Sequence, residues 1–549
     1  MYSEIKNING LPTLFADGKP VPEMAYITYI PENNRYADFA SAGVRLYSVN
    51  LNFSEMPINE NAPVLVFQKG IFEKDEPDFS IVHKNFDSIL SACPDAYIFP
   101  RVNVNLSRAW EKSHPDELCE NGVSGRCRAS FASDLWAEEV KKCLVRLTEY
   151  IENSPYADRV IGYQLAGGNT DEWFPFENCG FYGKRAKEKF IRYCEDNRAD
   201  RNEENYYKFA SETVADRIID FAQTVKNVTD GKKIVGAFYG YTIGCPNRKQ
   251  CHLALGRLLE SDAVDFLCSP LTYMHGRHAG LDTYPMLPVG SVRCRSKLYF
   301  SENDIRTHLS RPISPHPNYS VKIWTGPKKS VSLEQIKINF CRALIYGNGM
   351  WWFDMWGGWY DDPDFMSLFK RMSEICADGM DCPESEVAVF MDENCYFGLP
   401  SHGNIAWNTC NALGLTGVMN DVFLASDFDK VYNDYKVCIF TEPTKTQLMT
   451  ECICRAKASG KAVRVITESD ARLTADDLKG FLMQSGIDVP TPQNAVVYKG
   501  KRFVAFHSHE KGVYDLTVDD RKTFTDIFTG EEITFPITTQ KTVTYLFSR

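Results

Sequence analysis

The chain has 549 residues, 44% of them hydrophobic and 24% charged, with a formal net charge of −11. That length exceeds a single core and points to roughly two to four domains of an ordinary globular protein. The acidic balance, with no basic stripe, argues against nucleic acid or an anionic membrane as partner. Eighteen cysteines without regular spacing read as reduced thiols rather than a disulfide frame. The opening MYSEIKNINGLPTLF lacks a basic then apolar leader, and no apolar run is long enough to span a bilayer, so a cytoplasmic location is expected.

From about residue 23 to 380, short β-rich runs alternate with helix-length segments. In chain order the runs are EMAYITYI, GVRLYSVNLN, AYIFPRVNVN, RVIGYQLAGG, KIVGAFYGY, VDFLCSP, KLYFSE and GMWWFDMW. Eight of them predict an α/β fold built on a (β/α)8 TIM barrel. Between them, SDLWAEEVKKCLVRLTEYIEN and SLEQIKINFCRALIYG carry apolar residues at three- and four-residue spacing, and Ser133 and Asp134 are N-cap candidates for the first. After a break at Ala377-Asp378-Gly379, the runs VAVFMD, DVFLAS, KVCIFTE and AVRVITE predict a small open α/β (Rossmann-like) domain. The last runs, RFVAFHSH, GVYDLTV, FTDIFTGEEITF and KTVTYLFSR, with a turn at Thr529-Gly530, predict a C-terminal antiparallel β-sandwich. The expected domains are 1–383, 384–490 and 491–549.

Two of the barrel runs end in carboxylates: VIGYQLAGGNTDEWF with Glu172, and KLYFSENDIRTH with Glu302. Catalytic groups of such barrels sit where strands give way to loops at the C-terminal face. Two acids across one cleft can split a glycosidic bond, one protonating the leaving oxygen and the other attacking, provided their environments differ. Around them the strand ends offer Arg101 and Asn103; Asn169 and Asp171; Tyr239 and Tyr241; Tyr273, His275 and Arg277; Asp304 and Arg306; and Trp352, Asp354 and Trp356. Aromatic planes, hydrogen-bonding acids and a few cations suit a pyranose. The tryptophans have a second reading as packing of the barrel mouth. Asp304 with Arg306 reads first as a local ion pair that orients its loop. Arg101, inside an otherwise buried run, is placed to neutralise the acidic pair.

This order of elements and carboxylates resembles clan A glycoside hydrolases, in particular the β-galactosidase-like enzymes of family 42 and related bacterial β-mannosidases. The resemblance covers nearly the whole chain. It implies retention of anomeric configuration, with the acid/base after strand four and the nucleophile after strand seven, roles that fall on Glu172 and Glu302. The family's strand-six tyrosine corresponds to Tyr273 and its rim arginine to Arg101. The chain departs from the family at Asp171, where an asparagine ordinarily binds the sugar 2-hydroxyl. Either that hydroxyl is read differently or Asp171 shares the acid role. The family's zinc-binding cysteines are not matched. His114, Cys119 and Cys127, and likewise Cys452 with Cys454, fall short of a zinc quartet, so no metal and no cofactor is expected. The resemblance also implies a homo-oligomer, a trimer, assembled through the 384–490 domain. Its segment CYFGLPSHGNIAWNTCNALG either reaches a neighbouring site through His402 or Trp407 or packs on its own barrel.

The function expected is thus a retaining exo-acting β-glycosidase for small oligosaccharides or glycosides, β-galactosidase-like or β-mannosidase-like. The alternative is a non-catalytic carbohydrate-binding or regulatory protein on the same scaffold. A Schiff-base aldolase is disfavoured because no candidate strand ends in lysine. A cysteine-dependent amidotransferase is disfavoured because Cys410 lacks a Gly-x-Cys-x-Gly elbow.

Overall fold

The computed structural model describes residues 1–57, 67–120, 127–175, 182–244, 247–272, 278–310, 327–399, 405–470 and 473–549. It begins with a hairpin absent from the expected elements. Ser3–Ile8 pairs antiparallel with Leu11–Ala16 across Asn9-Gly10, whose φ angles of 55° and 90° are the left-handed pair that a two-residue turn between twisted strands requires. Leu14 and Ala16 of this hairpin, with Val21, join the apolar cluster inside the barrel and close its floor.

The barrel strands are β1 (Met24–Ile27), β2 (Leu46–Ser48 continued by Asn50–Asn52), β3 (Tyr97–Ile98 continued by Arg101–Asn103), β4 (Gly162–Ala166), β5 (Ile234–Phe238), β6 (Phe266–Pro270), β7 (Leu298–Asn303) and β8 (Gly349–Phe353). All neighbours pair in parallel, and β8 pairs with β1. The ten hydrogen-bonded segments are therefore eight strands closed into a ring, two of them interrupted, at Val49 and at Phe99-Pro100. Each lies within the run predicted for it, apart from one residue at the end of β7.

Strand alternation sorts these side chains. Ala25, Leu46, Phe99, Phe266, Phe300 and Trp351 fill the barrel interior. Tyr26, Tyr47, Val102, Leu165, Tyr299 and Trp352 pack outward against the helices. The helix α1 (Asp134–Glu152) starts where Ser133 Oγ accepts the Trp136 N–H at 2.9 Å. Another, α2 (Lys329–Tyr346), stops at Gly347 with φ 67°.

Beyond the barrel, β9 (Val387–Met391), β10 (Asn420–Leu424), β11 (Val437–Thr441) and β12 (Ala462–Ile466) form a parallel sheet in the order β10-β9-β11-β12. The C-terminal region holds β13 (Ala495–Lys499), β14 (Phe503–Ser508) and β15 (Thr544–Ser548) as one antiparallel sheet, with two short antiparallel ribbons over a shared apolar cluster. This region grips the loop after β6. Gly280 N–H donates to His507 Nε2 at 2.6 Å, and Gly280 O accepts from His509 Nδ1 at 2.7 Å. Gly280 has φ 97°, and a Cβ there would lie 1.9 Å from His509 O, so the approach needs glycine.

Candidate active site

Counting by twos along β7, Leu298 and Phe300 face inward, and Glu302 and then Asp304 follow at the mouth. On β3, Phe99, Arg101 and Asn103 share the same parity. Arg101 is fully buried, and its Nη1 lies 3.8 Å from Glu302 Oε2 while its Nε lies 4.0 Å from Asp171 Oδ2. Burial alone would lower the guanidinium's pKa, but the charges of Asp171, Glu302 and Glu172, with Tyr29, hold it above the ordinary arginine range. Tyr29 and Phe238 flank it with ring centroids 5.6 and 5.7 Å from the guanidinium carbon.

Glu172 is presented by a turn under backbone strain. Thr170, Asp171 and Trp173 have φ of 57°, 63° and 63°, a region costing about 1–3 kcal/mol per non-glycine residue. Tertiary anchors hold it there. Trp173 is a buried wedge whose Nε1 donates to Leu165 O at 3.0 Å, and Arg101 Nη2 donates to Asp171 O at 3.1 Å. Tyr29 Oη donates to Thr170 O at 3.2 Å. Asn105 Nδ2 donates to Gly168 O at 3.0 Å. Behind the turn, His252 accepts the Gly240 N–H on Nδ1 at 3.3 Å; burial pushes its pKa down to about 3, so it stands neutral.

Burial pushes Glu172 up to about 7, against hydrogen bonds from Thr170 and Tyr241 and the Arg101 charge, with Asp304 adding to the rise. Tyr241 Oη reaches Glu172 Oε1 at 3.1 Å, and Thr170 Oγ1 donates to Oε2. Asp171 is also raised by burial, opposed by Arg101 and by amide donors from Asn103 and Asn50. Asn50 Nδ2 donates to its Oδ2 at 2.9 Å and Asn103 Nδ2 to its Oδ1. Asn169 closes the turn through its backbone, donating to Phe174 O at 3.2 Å and accepting from Glu172 N–H at 3.2 Å. Arg306 Nη1 sits 2.5 Å from Asp304 Oδ2, the local pair expected of them.

The structure thus brings together Glu172, Glu302, Arg101, Asn103, Asp171 and Asp304. Trp356 joins the aromatic wall, tilted against Tyr29 with centroids 6.1 Å apart. Three expected members are corrected. Tyr239 has outward parity, stacks on His252 at 4.5 Å and accepts the Ala254 N–H at 2.9 Å. Its place at the mouth is taken by Tyr241. Trp352 also points outward and packs on Phe369 at 4.7 Å. Asp354 spends its oxygens on Tyr26 Oη, Gly358 N–H and Trp359 N–H at 2.9, 2.9 and 2.8 Å, shaping the turn after β8. Burial raises Asp354 to about 6 against those bonds.

Tyr273, His275, Arg277 and His402 lie outside the described residues. Trp407 is 5% exposed, and its carbonyl accepts from Tyr284 Oη at 2.8 Å, so it packs within its own chain rather than projecting to a neighbour. Burial pushes the Cys410 thiol up to about 12, which suits a packed thiol and not a nucleophile. Residues missed by the sequence reading are Asn50, Tyr29 and Thr170. The first two share inward parity with named neighbours, a signal that was available. Among the described residues, no group of three His, Cys, Asp or Glu side chains is arranged to hold a metal, and no helix is long and apolar enough to cross a membrane.

No family model and no curated protein sequence matches the chain. Solved structures do. A β-galactosidase from the psychrophilic Marinomonas ef1 superposes with a TM-score of 0.66 at 10% identity, covering 96% of this chain and 100% of that one. A β-galactosidase from Rahnella sp. R3 gives 0.64 at 10% identity over 100% of both chains. An exo-carrageenase of family GH42 from Bacteroides ovatus gives 0.60 at 11% identity over 100% of this chain and 86% of that one. The chain shares their fold. With so little identity, the likeness extends to the order of barrel, α/β sheet and C-terminal strands, which are the elements already described.

Proposed function

We propose that the protein is a retaining, exo-acting β-glycosidase that hydrolyses small β-glycosides of the β-galactoside or β-mannoside kind by double displacement. The observation that carries this reading is the unequal environment of two acids at one mouth. Glu172 is raised to about 7 by burial and so is available as a proton donor near neutrality, whereas Glu302 faces the permanent Arg101 cation at 3.8 Å, a setting suited to a carboxylate. In this reading Glu302 attacks the anomeric carbon while Glu172 protonates the departing oxygen. Glu172 then takes a proton from the water that releases the sugar from Glu302. Each oxygen of Asp171 already accepts an amide N–H, which supports a role in ordering Arg101 and the turn rather than a second acid.

The similar structures, β-galactosidases and an exo-carrageenase, support a β-linked sugar as substrate. The resemblance to the family 42 enzymes motivates a homotrimer assembled through residues 384–490, and the scattered cysteines, read as reduced thiols, motivate a cytoplasmic location. Light scattering tests the assembly, with a mass of three chains expected and a concentration-independent mass of one chain contradicting it. The function is tested with aryl β-glycosides of galactose, glucose, mannose, fucose and xylose, following product anomers by NMR. Turnover of one glycone with retention is expected. An inverted product contradicts the mechanism, and binding without turnover across the panel favours the carbohydrate-binding alternative.

A further inference from the structure

The opposite end of the barrel holds a cavity of about 660 Å³, within the size range of small-molecule sites. Its walls include three parts of the chain: the N-terminal segment with Leu11, Phe15 and Val21, the turn after the last barrel helix with Met380, and the C-terminal region with Arg502. Glu23 lines it too, and is only 4% exposed. One carboxyl oxygen of Glu23 accepts the Leu14 N–H at 2.7 Å. Among the described residues no group donates to the other oxygen, and no cation pairs with this side chain.

The guanidinium that lines the cavity, Arg502, is committed elsewhere. Arg502 Nη2 donates to Gly379 O at 2.5 Å and Met380 O at 2.9 Å, and its Nε lies 3.7 Å from Asp381. The other titratable groups lining the cavity are Cys376, Cys382, Asp378, Asp381 and Lys501. A buried carboxyl is ordinarily matched by a cation or by several donors, because desolvating the charge otherwise costs several kcal/mol. Here the missing partner has room to come from outside.

We propose that this cavity binds a small organic primary ammonium compound, its N–H groups on the open Glu23 oxygen and its hydrocarbon body along Leu11, Phe15, Val21 and Met380. An ammonium supplies both the countercharge and the donors. A neutral alcohol supplies a donor without the charge, and a quaternary amine the charge without a donor. This site lies apart from the glycosidase reading and stands or falls independently of it.

The test is titration calorimetry with 2-phenylethylammonium and, as the neutral isostere, 2-phenylethanol. Burial pushes the Glu23 carboxyl up to about 8, so at pH 7 it is mostly protonated and must release its proton as the ammonium docks. The ammonium is expected to bind at least ~10-fold more tightly than the alcohol, as a charge-assisted bond should. Its enthalpy should vary with buffer ionisation in the sense of proton release. Glu23→Gln keeps an acceptor for Leu14 and is expected to abolish proton release and the preference for the ammonium. Ala377→Trp, at the exposed rim of the cavity, keeps the Glu23 carboxyl and should block the ligand. No binding of the ammonium, equal affinity for the alcohol, or wild-type binding by Glu23→Gln would each overturn the proposal.

Discussion

At the mouth of the barrel, Glu172 and Asp171 are buried among donors supplied by Thr170, Tyr241, Asn50, Asn103 and the shared cation Arg101, while at the floor Glu23 has, among the described residues, one backbone N–H and no cation. Burial raises all three acids, Glu172 to about 7 and Glu23 to about 8. Desolvation alone therefore does not mark a catalytic carboxyl. The mouth differs in that its partners fix the position of each oxygen and oppose the rise, leaving Glu172 near neutrality and held in place by a strained turn. The floor has the raised acid without the constellation.

The largest effect that can break this contrast is expected at Glu302. Glu302→Gln should lower turnover by on the order of 10⁶-fold, as loss of a nucleophile does elsewhere, measured on whichever aryl glycoside proves active. Next, Glu172→Gln should cost roughly 10²–10⁴-fold on poor leaving groups and little on good ones. With Glu172 proposed to act protonated, kcat/KM of the native protein should fall as pH rises above about 7, and that limb should vanish in the variant.

Asp171→Asn leaves Arg101 with one fewer carboxylate and sets an amide against Asn50 and Asn103; a loss of about 10-fold is expected, the size of a disrupted buried hydrogen-bond set. An unchanged rate and pH profile would reduce Asp171 to part of the loop.

Smaller effects sharpen the contrast within one strand end. Tyr241→Phe removes a hydrogen bond that lowers Glu172, so the basic limb should move to higher pH with a modest loss of rate. Tyr239→Phe, two residues away, should leave the pH profile alone and instead cost about 1–3 kcal/mol of stability, because the buried Ala254 N–H loses its acceptor.

At the floor, the raised carboxyl of Glu23 favours folding fully below its ordinary value of 4.5, and that contribution is lost as pH rises through about 8. Melting curves at pH 9 should therefore place Glu23→Gln above the native protein, with the gap closing toward pH 5.

All eight barrel strands were legible because each is a short run rich in aromatic and β-branched residues between helical segments. The carboxylates of β4 and β7 were legible because polar residues interrupt those runs where they end. Members of the site were less so. Tyr239 and Trp352 stand beside strand-end residues, but the period of two within the strands, counted from Phe238 and Trp351, turns both outward, and Asp354, past the end of β8, is spent on the turn that follows. Asn50 bonds Asp171 across 121 residues of sequence, which no local pattern encodes. The left-handed residues 170, 171 and 173 carry no glycine signal; Trp173 and Arg101 impose that geometry through tertiary contacts. The N-terminal hairpin carried its Asn-Gly signal openly, but the cavity it closes depends on three distant segments meeting.

The assignment of the two acids is tested most directly by azide rescue with an activated aryl β-glycoside of the preferred sugar. With Glu172→Ala, azide should enter after the glycosyl-enzyme has formed and yield the β-glycosyl azide; with Glu302→Gly, it should replace the nucleophile and yield the α-glycosyl azide. The reverse pairing of variant and anomer would contradict the account by exchanging the roles of Glu172 and Glu302.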